Sequence, residues 1–409
     1  MSFNNFTVRL LGEFFYVSYP ISSFEVTKLN ERNLLMIPGP TNVDPVVLQS
    51  LARPTLSHVS STFASLLKET VEDLRSIFKT EGLVLPLAGS GTLGAEVALS
   101  NIIEPGDEVL AISGGYFGDR LAEIASILGA NVDKMSQDWG SVADPVAVEK
   151  KLYSKEYKAL LVVHVDTSTG AANPVKELGR VAKGKNVLFL VDAVCSLGGI
   201  ELNMDAWGID VCFTGSQKAL AVPPGLMIAA FGSDAISARE KRKSRMGTYY
   251  GDLKRWTPII EDPTKYFATH PINMIYGLNQ SCKQILGEGL QERFLRHART
   301  AAAFRAAMRG IGLRLLCEEK DAANTLTVTY YPEKVQDVEF RKFMNEEFGI
   351  EIAGGLGPLK GTTFRVGHMG GVNRQDLLAT VGAIEGALFE QAYDFSLGSG
   401  TAAVLKSLS

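Results

Sequence analysis

VLFLVDAVCSLGGIELNMDAWGIDVCFTGSQK, residues 187–218, decides the fold, because two charged side chains follow segments that should be wholly buried. VLFLV (187–191) is a continuous apolar run with the signature of a strand covered on both faces, and Asp192 stands at its C-terminal end. IDVCFTG (209–215) is a second such run, followed by Ser216, Gln217 and Lys218. Ligands of open α/β sheets bind beyond the carboxyl ends of the strands, so Asp192 and Lys218 are expected to face one cleft.

A carboxylate and an amine in one partly dry pocket can simply pair. They also match the needs of pyridoxal phosphate (PLP), which takes an amine for a Schiff base and a carboxylate to hold its ring nitrogen protonated. A lysine whose pKa is depressed by desolvation or a nearby cation is a competent partner for such a base. These two residues alone leave both readings open.

Outward from this stretch, strand and helix patterns alternate. LVLPLA (83–88), DEVLAIS (107–113), ANVDKMS (130–136), YKALLVVHVD (157–166) and LMIAAFG (226–232) have strand character. Helical patterns separate them at 92–103, 118–129, 146–154 and 175–185, and another follows at 234–244. The alternation predicts an α/β fold with a mostly parallel sheet sandwiched by helices. From about Met274 a long amphipathic helical stretch leads into a smaller α+β region, with strands expected at RLLCE (314–318), TLTVTYY (325–331), IEIAGG (350–355) and TTFRVGH (362–368) and a closing helix at 376–392. The expected organisation is an N-terminal extension (1–33), a large domain (34–285), a small C-terminal domain (286–395) and a Gly/Ser-rich tail (396–409) that frays. The extension is expected to be an arm over a partner subunit or a poorly ordered segment.

Several motifs cluster at the strand ends. Gly89-Ser90-Gly91-Thr92-Leu93-Gly94 follows a strand and opens a helix, as GxGxxG requires, so a nicotinamide dinucleotide is a competitor. The next strand ends in AIS (111–113), without the acid that would hold a ribose. Common to both cofactors is a helix N-terminus whose backbone N–H groups cradle phosphate, with the Ser90 and Thr92 hydroxyls adding donors. Phe117 in GGYFG (114–118) either stacks on a planar cofactor or belongs to the core. In HVDTSTG (164–170), His164 and Asp166 lack a further His or Cys at ligand spacing, which argues against a metal; Thr167 suits a ring substituent as a hydroxyl donor. Arg365 in TTFRVGH wants a carboxylate partner if it faces inward, and is a surface arginine otherwise. GGLGPLKG (354–361) could let a domain edge move over a cleft.

Composition sets the outer limits. The chain has 409 residues, 46% hydrophobic and 21% charged, enough for two cores of ordinary globular kind. A formal charge of −4 with scattered basic residues gives no footprint for nucleic acid or an anionic membrane. The densest basic run, REKRKSR (239–245), is expected as the solvated face of a helix. Cys195, Cys212, Cys282 and Cys317 have no CxxC spacing, which suggests neither a zinc site nor a redox dithiol. No apolar run approaches the ~20 residues needed to span a bilayer, and the first twenty residues lack a signal-peptide pattern, so the expected location is cytoplasmic.

With these residues assembled, the chain from Leu34 to about Ala392 resembles the class V, fold-type I PLP-dependent aminotransferases, and within them the alanine–glyoxylate/serine–pyruvate aminotransferases. The resemblance rests on PGPTNVDP (38–45), GSGTLGAE (89–96), GGYFGDR (114–120), DTSTG (166–170), VDAVCSLGG (191–199), GSQKAL (215–220), GLGP (355–358) and FRVG (364–367). It implies that Lys218 is the Schiff-base lysine and proton shuttle and that Asp192 pairs with the pyridine nitrogen. Phe117 stands where the family has a stacking aromatic, often Trp. Thr167 would bond the ring hydroxyl, while Gly91, Thr92 and Gln217 would hold the phosphate; Thr92 departs from relatives that carry His there. Tyr266 and Thr269 match a segment that reaches the neighbouring subunit's phosphate, which implies a homodimer with shared sites. Arg365 would grip the substrate α-carboxylate beside the loop containing Gly39 and Pro40.

The activity implied is ping-pong transamination between a small amino acid, serine or alanine, and a small 2-oxo acid, pyruvate or glyoxylate. Three alternatives compete. A cysteine desulfurase of the same fold would need Cys317 as its nucleophile. A nicotinamide-dependent oxidoreductase would use the glycine loop but leaves Lys218, Asp192 and Arg365 without roles. A catalytically silent PLP-fold module would act through its surface.

Overall fold

The computed structural model describes residues 33–408 and the backbone of 8–10 and 13–15. The chain divides into two units, 1–33 and 34–409. In the first, strands β1 (Val8–Leu10) and β2 (Glu13–Phe15) pair antiparallel. The expectations of an arm or a disordered lead-in over 1–33 otherwise lie outside the described residues.

The second unit opens with β3 (Leu34–Leu35) and helices α1 (Pro45–Leu51) and α2 (Ser61–Phe78). Ser60 caps α2 by accepting the Phe63 N–H at 3.2 Å, and Phe63, Leu67, Leu74 and Phe78 recur at helical spacing on its buried face. There follow β4 (Leu83–Ala88), α3 (Gly91–Ile102), β5 (Glu108–Ser113), α4 (Tyr116–Ile127), β6 (Asn131–Ser136), α5 (Pro145–Leu152), β7 (Ala159–Val163) and α6 (Val175–Gly184). Next come β8 (Leu188–Asp192), β9 (Val211–Gly215), β10 (Leu226–Phe231), α7 (Ser233–Lys241) and α8 (Leu253–Glu261). The seven strands β4 to β10 form one sheet in the order β4-β10-β9-β8-β7-β5-β6. All neighbours are parallel except β10, which runs against both β4 and β9.

Both faces of this sheet are covered at its centre, which is why strands such as β7, β8 and β9 lack polar alternation, whereas the edge strand β6 is partly exposed. Phe189 and Val191 of β8 enter the core beneath α2, whereas Leu190 enters the opposite core with α3. In β9 the split is Cys212 to the first core and Val211 and Phe213 to the second. In the central strands β8 and β9, with both faces occupied by apolar neighbours, the strand ends are where charge can be presented.

The remainder comprises α9 (Ile272–Glu288), α10 (Leu290–Ile311), β11 (Leu326–Tyr330), α11 (Asp337–Phe348), β12 (Ile350–Glu351), β13 (Ala353–Gly354), β14 (Thr363–Gly367), α12 (Arg374–Glu390) and α13 (Ser399–Leu408). β11, β14 and β13 form a three-stranded antiparallel sheet with its own core of Phe304, Phe340, Phe364, Leu377 and Ile384.

Five expectations need correction. The boundary at 285/286 falls inside α9; the chain turns at Gly289 (φ 84°) instead. Residues 34–409 pack as one unit, because β3 pairs with β12 and Leu34 and Met36 enter the C-terminal core. RLLCE (314–318) is no strand: it meets β11 only through an isolated bridge, Leu315 to Thr329, before turning at Glu318–Asp321. The tail does not fray, since 399–408 is helix α13 with Val404 fully buried. Glu385 holds its first turn by accepting the Gly400 N–H and the Thr401 hydroxyl, each at 2.8 Å. Finally, the basic run 239–245 is only in part a solvated face: Lys241, Lys243 and Arg245 are exposed, but Arg239 and Arg242 are not. Arg239 pairs with Asp252 through two bonds of 2.9 Å, and Arg242 donates to the Ser100 and Ile103 carbonyls at the end of α3.

Candidate active site

Beyond the C-terminal ends of the parallel strands lies a cavity of about 390 Å³. Ten of the residues singled out in the sequence line it: Gly39, Pro40, Ser90, Gly91, Thr92, Phe117, Thr167, Asp192, Gln217 and Lys218. A larger open groove of about 1000 Å³ lies at the opposite edge of the sheet, where Leu83 and Leu188 begin their strands, and contains none of them. Position relative to the strand ends, not size, separates the two.

Lys218 sits on a tight turn after β9. Ser216 bonds the Pro223 carbonyl at 2.7 Å, the Ala221 N–H returns to the Lys218 carbonyl at 2.8 Å, and the Thr41 hydroxyl donates to the same carbonyl at 2.9 Å. The turn holds the side chain in the cavity, where its ammonium donates to the Pro38 carbonyl. Gly39 permits this approach: its φ is 121°, and a Cβ there would lie 2.5 Å from Lys218 Cδ. Burial depresses the Lys218 pKa; Cys195 and Asp192 oppose the shift while Arg365 and Arg120 add to it.

Asp192 ends β8 and accepts the Val194 N–H at 2.9 Å. Burial pushes its carboxyl up to about 6, against the pull of that N–H, of Arg120 and of Lys218. Among the described residues no ion pair joins Asp192 to Lys218, so the two charges are neighbours in one cavity and not a closed bridge. The plain ion-pair reading loses its geometric basis.

At the phosphate end, α3 begins at Gly91 with Ser90 as N-cap and no side chain capping it, which leaves first-turn N–H groups available to an anion. A Cβ at Gly91 would lie 2.8 Å from Val194 Cγ2, so the backbone there approaches the Asp192 loop closely. Gln217 brings a buried Oε1 with no protein partner to the same cavity.

Arg365, on β14, is buried and donates from Nε to the Gly354 carbonyl at 2.7 Å and from Nη1 to the Thr167 carbonyl at 3.0 Å. It faces inward, within electrostatic reach of Lys218. Tyr266 is 63% exposed and Thr269 is exposed, and neither lines the cavity; Tyr266 lies beside His58 instead, with ring centroids 5.1 Å apart.

Two residues of the site were not assigned roles from the sequence. Arg120 lines the cavity, with its guanidinium 4.5 Å from the Phe117 ring centroid; its spacing of three from Phe117 on α4 was the available signal. Asp166, weighed above only as a metal ligand, spends its carboxylate on the N–H groups of Phe117 and Gly118 and on Ser168. His164 turns elsewhere, edge-on to Trp207, held neutral by burial that lowers its pKa to about 4. No group of three metal-ligating side chains occurs among the described residues.

An amine beside a carboxylate, an open helix N-terminus and an inward arginine form the donor set on which comparison with known proteins bears. The family model described as Aminotransferase class-V matches residues 42–368. The chain belongs to the class V aminotransferases. An uncharacterized aminotransferase of Methanocaldococcus jannaschii is 40% identical over 89% of this chain and 94% of its own length. A protein named soluble hydrogenase 42 kDa subunit in Anabaena cylindrica is 35% identical over 93% of this chain and all of its own. A serine–glyoxylate aminotransferase of Methylorubrum extorquens is 32% identical over 92% of this chain and 96% of its own. Among solved structures, the ureidoglycine–glyoxylate aminotransferase of Bacillus subtilis superposes with a TM-score of 0.89 at 32% identity, covering 91% of this chain and 97% of that one.

Class V aminotransferases of this fold type depend on PLP, and this chain is a PLP-dependent aminotransferase. Its lining suits the cofactor: uncapped N–H groups at the start of α3 can take a phosphate, the Gln217 amide can turn its NH₂ toward the same anion, and the buried Asp192 carboxylate can meet a ring nitrogen.

Proposed function

We propose that this aminotransferase moves an amino group from a small amino acid, serine or alanine, to a small 2-oxo acid, glyoxylate or pyruvate. The supporting observation is the arrangement of Lys218, Asp192 and the α3 N-terminus about one cavity, with Arg365 against its wall. When bound, PLP supplies an aldehyde that captures amines and a ring that takes up the electron pair left when a Cα proton departs.

In this reading Lys218 is the amine that would hold the cofactor and, once displaced by substrate, the base that would take the Cα proton and return it to the cofactor's C4′ on the same face. Burial favours its neutral, nucleophilic form. Asp192, ionised, keeps the ring nitrogen protonated. Gly91, Thr92 and Gln217 bind the phosphate, Thr167 meets the ring hydroxyl and Phe117 covers the ring face. Arg365 takes the α-carboxylate as a fork, with Gly39 and Pro40 closing the space beside it. Such a grip orients the Cα–H bond without reference to the side chain, and the preference for small donors is taken from the serine– and alanine–glyoxylate aminotransferases that the chain resembles.

Tyr266 and Thr269, exposed on one chain, would complete a neighbouring subunit's phosphate site, which makes the functional unit a homodimer. All four cysteines are free, as suits a reducing cytoplasm. A desulfurase would need a reactive thiol at Cys317, but that thiol donates to the Thr169 carbonyl at 3.2 Å and burial raises its pKa to about 12.

The test is the near-visible spectrum of the PLP-loaded protein. L-serine or L-alanine should abolish the band of the lysine-bound cofactor, and glyoxylate or pyruvate should restore it. A band indifferent to these amino acids would contradict the assigned donors.

A further inference from the structure

The site depends on an aromatic and a hydroxyl that come from different parts of the chain. Phe117 lies in the first turn of α4 and Thr167 follows β7, and one side chain ties these places together. Asp166 is 4% exposed. Its Oδ2 accepts the N–H groups of Phe117 at 3.0 Å and Gly118 at 3.1 Å. Its Oδ1 accepts the Ser168 N–H at 2.9 Å and the Ser168 hydroxyl at 2.6 Å. The Ser168 oxygen in turn accepts the Tyr116 N–H at 3.0 Å.

Helix α4 has no cap of its own, because its N-cap is Gly115. Its three leading N–H groups are satisfied instead by two side chains of another loop, and a buried carboxylate at a helix N-terminus is electrostatically well placed. Gly115 is needed for the approach: a Cβ there would stand 2.5 Å from Asp166 Cγ and 2.6 Å from Ser168 Oγ. Between the two clamp residues lies Thr167, whose carbonyl accepts from Arg365. One carboxylate thus connects the element that carries the ring-stacking residue to the loop that contacts the substrate-binding arginine.

We propose that Asp166, with Ser168, is a positioning residue of the cofactor site, capping α4 from the β7 loop so that Phe117 is held against the ring while Thr167 and Arg365 keep their places. This rests on the roles given above to Phe117, Thr167 and Arg365. Asp166→Asn keeps the shape but puts an NH₂ where an acceptor is needed, toward either α4 or Ser168. It should weaken PLP binding about tenfold, as expected for losing charge-assisted bonds at one pair of donors. The circular dichroism of the bound cofactor, per mole bound, should fall by about half, reporting a loosened ring. KM for the amino donor should rise more than kcat falls, because Arg365 loses its fixed neighbour.

Leu121→Ala serves as the control: it cuts into the buried face of the same helix away from the cavity, lowering the melting temperature while leaving PLP affinity and dichroism within about twofold of wild type. The same cofactor changes in both variants at matched melting temperature would reduce Asp166 to an ordinary cap and overturn the proposal. So would Asp166→Asn that binds PLP with wild-type affinity and dichroism. Should Asp166→Asn not fold, Ser168→Ala removes one end of the clamp and should shift both readouts in the same direction, about threefold in affinity; wild-type values there overturn the proposal as well. Phe117→Ala separates the clamp from the assignment beneath it. If that variant leaves the dichroism unchanged, the stacking role of Phe117 fails, whereas an effect in Phe117→Ala but none at Asp166 removes only the clamp.

Discussion

Two regions of the molecule bury a cation and a carboxylate together, and they do it in opposite ways. At the elbow between α9 and α10, Glu288 binds Arg293 Nη1 at 2.7 Å and Arg296 Nε at 2.6 Å. Arg293 spends its other donors on the Gly198 carbonyl at 2.7 Å and the Ala219 carbonyl at 2.6 Å. Burial alone would raise the Glu288 pKa, but the bonds from Arg296 and Arg293 hold it below the ordinary value. In the cleft, Lys218 and Asp192 are more deeply buried than Glu288 and Arg296, yet each bonds only to backbone, and burial moves both toward their neutral forms. Closed pairing makes a rigid support; charges kept apart make a reactive pair. The two regions also touch, because Arg293 grips the carbonyl next to Lys218.

The comparison can be broken at either end. Lys218→Ala should cost ~10⁴-fold or more in kcat, since both nucleophile and proton carrier go, while the folded state survives because no ion pair is lost. Steady-state kinetics and a thermal melt on one preparation check both halves; retained turnover would end the assignment. Arg293→Met should instead act on stability, costing about 3–5 kcal/mol by leaving Glu288 short of a partner and two buried carbonyls without donors. Chemical denaturation measures it, and a loss below about 1 kcal/mol would mean that the elbow is not the support described here.

A third difference concerns pH. Between the ordinary carboxyl value of 3.8 and about 6 the folded protein without PLP holds a proton on Asp192 that the unfolded chain has released. This contribution is therefore full at low pH and lost as pH rises through about 6, an effect of roughly 3 kcal/mol. PLP requires the ionised carboxylate, so its affinity should rise over the same window. Denaturant midpoints on either side of that pH, with Asp192→Asn as the flat reference, test the sign. The smallest effect is expected for Arg296→Lys, whose side chain is 34% exposed: under ~1 kcal/mol, with kinetics unchanged.

What was legible in the sequence followed from local contradiction. A charge at the end of a five-residue apolar run has few explanations, so Asp192 and Lys218 stood out, and Gly89–Gly94 announced its helix start by composition alone. Asp166 could not be assigned the same way, because its partner Phe117 lies 49 positions away and the link runs through backbone N–H groups that every residue carries. The basic run at 239–245 failed for a similar reason: the carbonyls that Arg242 satisfies belong to α3, about 140 residues earlier. The tail was misjudged because Gly and Ser suggest fraying, while its stability comes from Glu385, a buried carboxylate on another helix. Tyr266 and Thr269 do not line the cavity, so nothing in the contacts of this chain speaks to the role that the resemblance gives them.

The central claim is that Lys218, and not another lysine, holds the cofactor. Borohydride reduction of the PLP-loaded protein, followed by peptide mass mapping, fixes the bond between cofactor and lysine irreversibly and reads its position. The account predicts the phosphopyridoxyl mass on the peptide containing Lys218 and on no other. The same mass on a different lysine, with Lys218 unmodified, would contradict it.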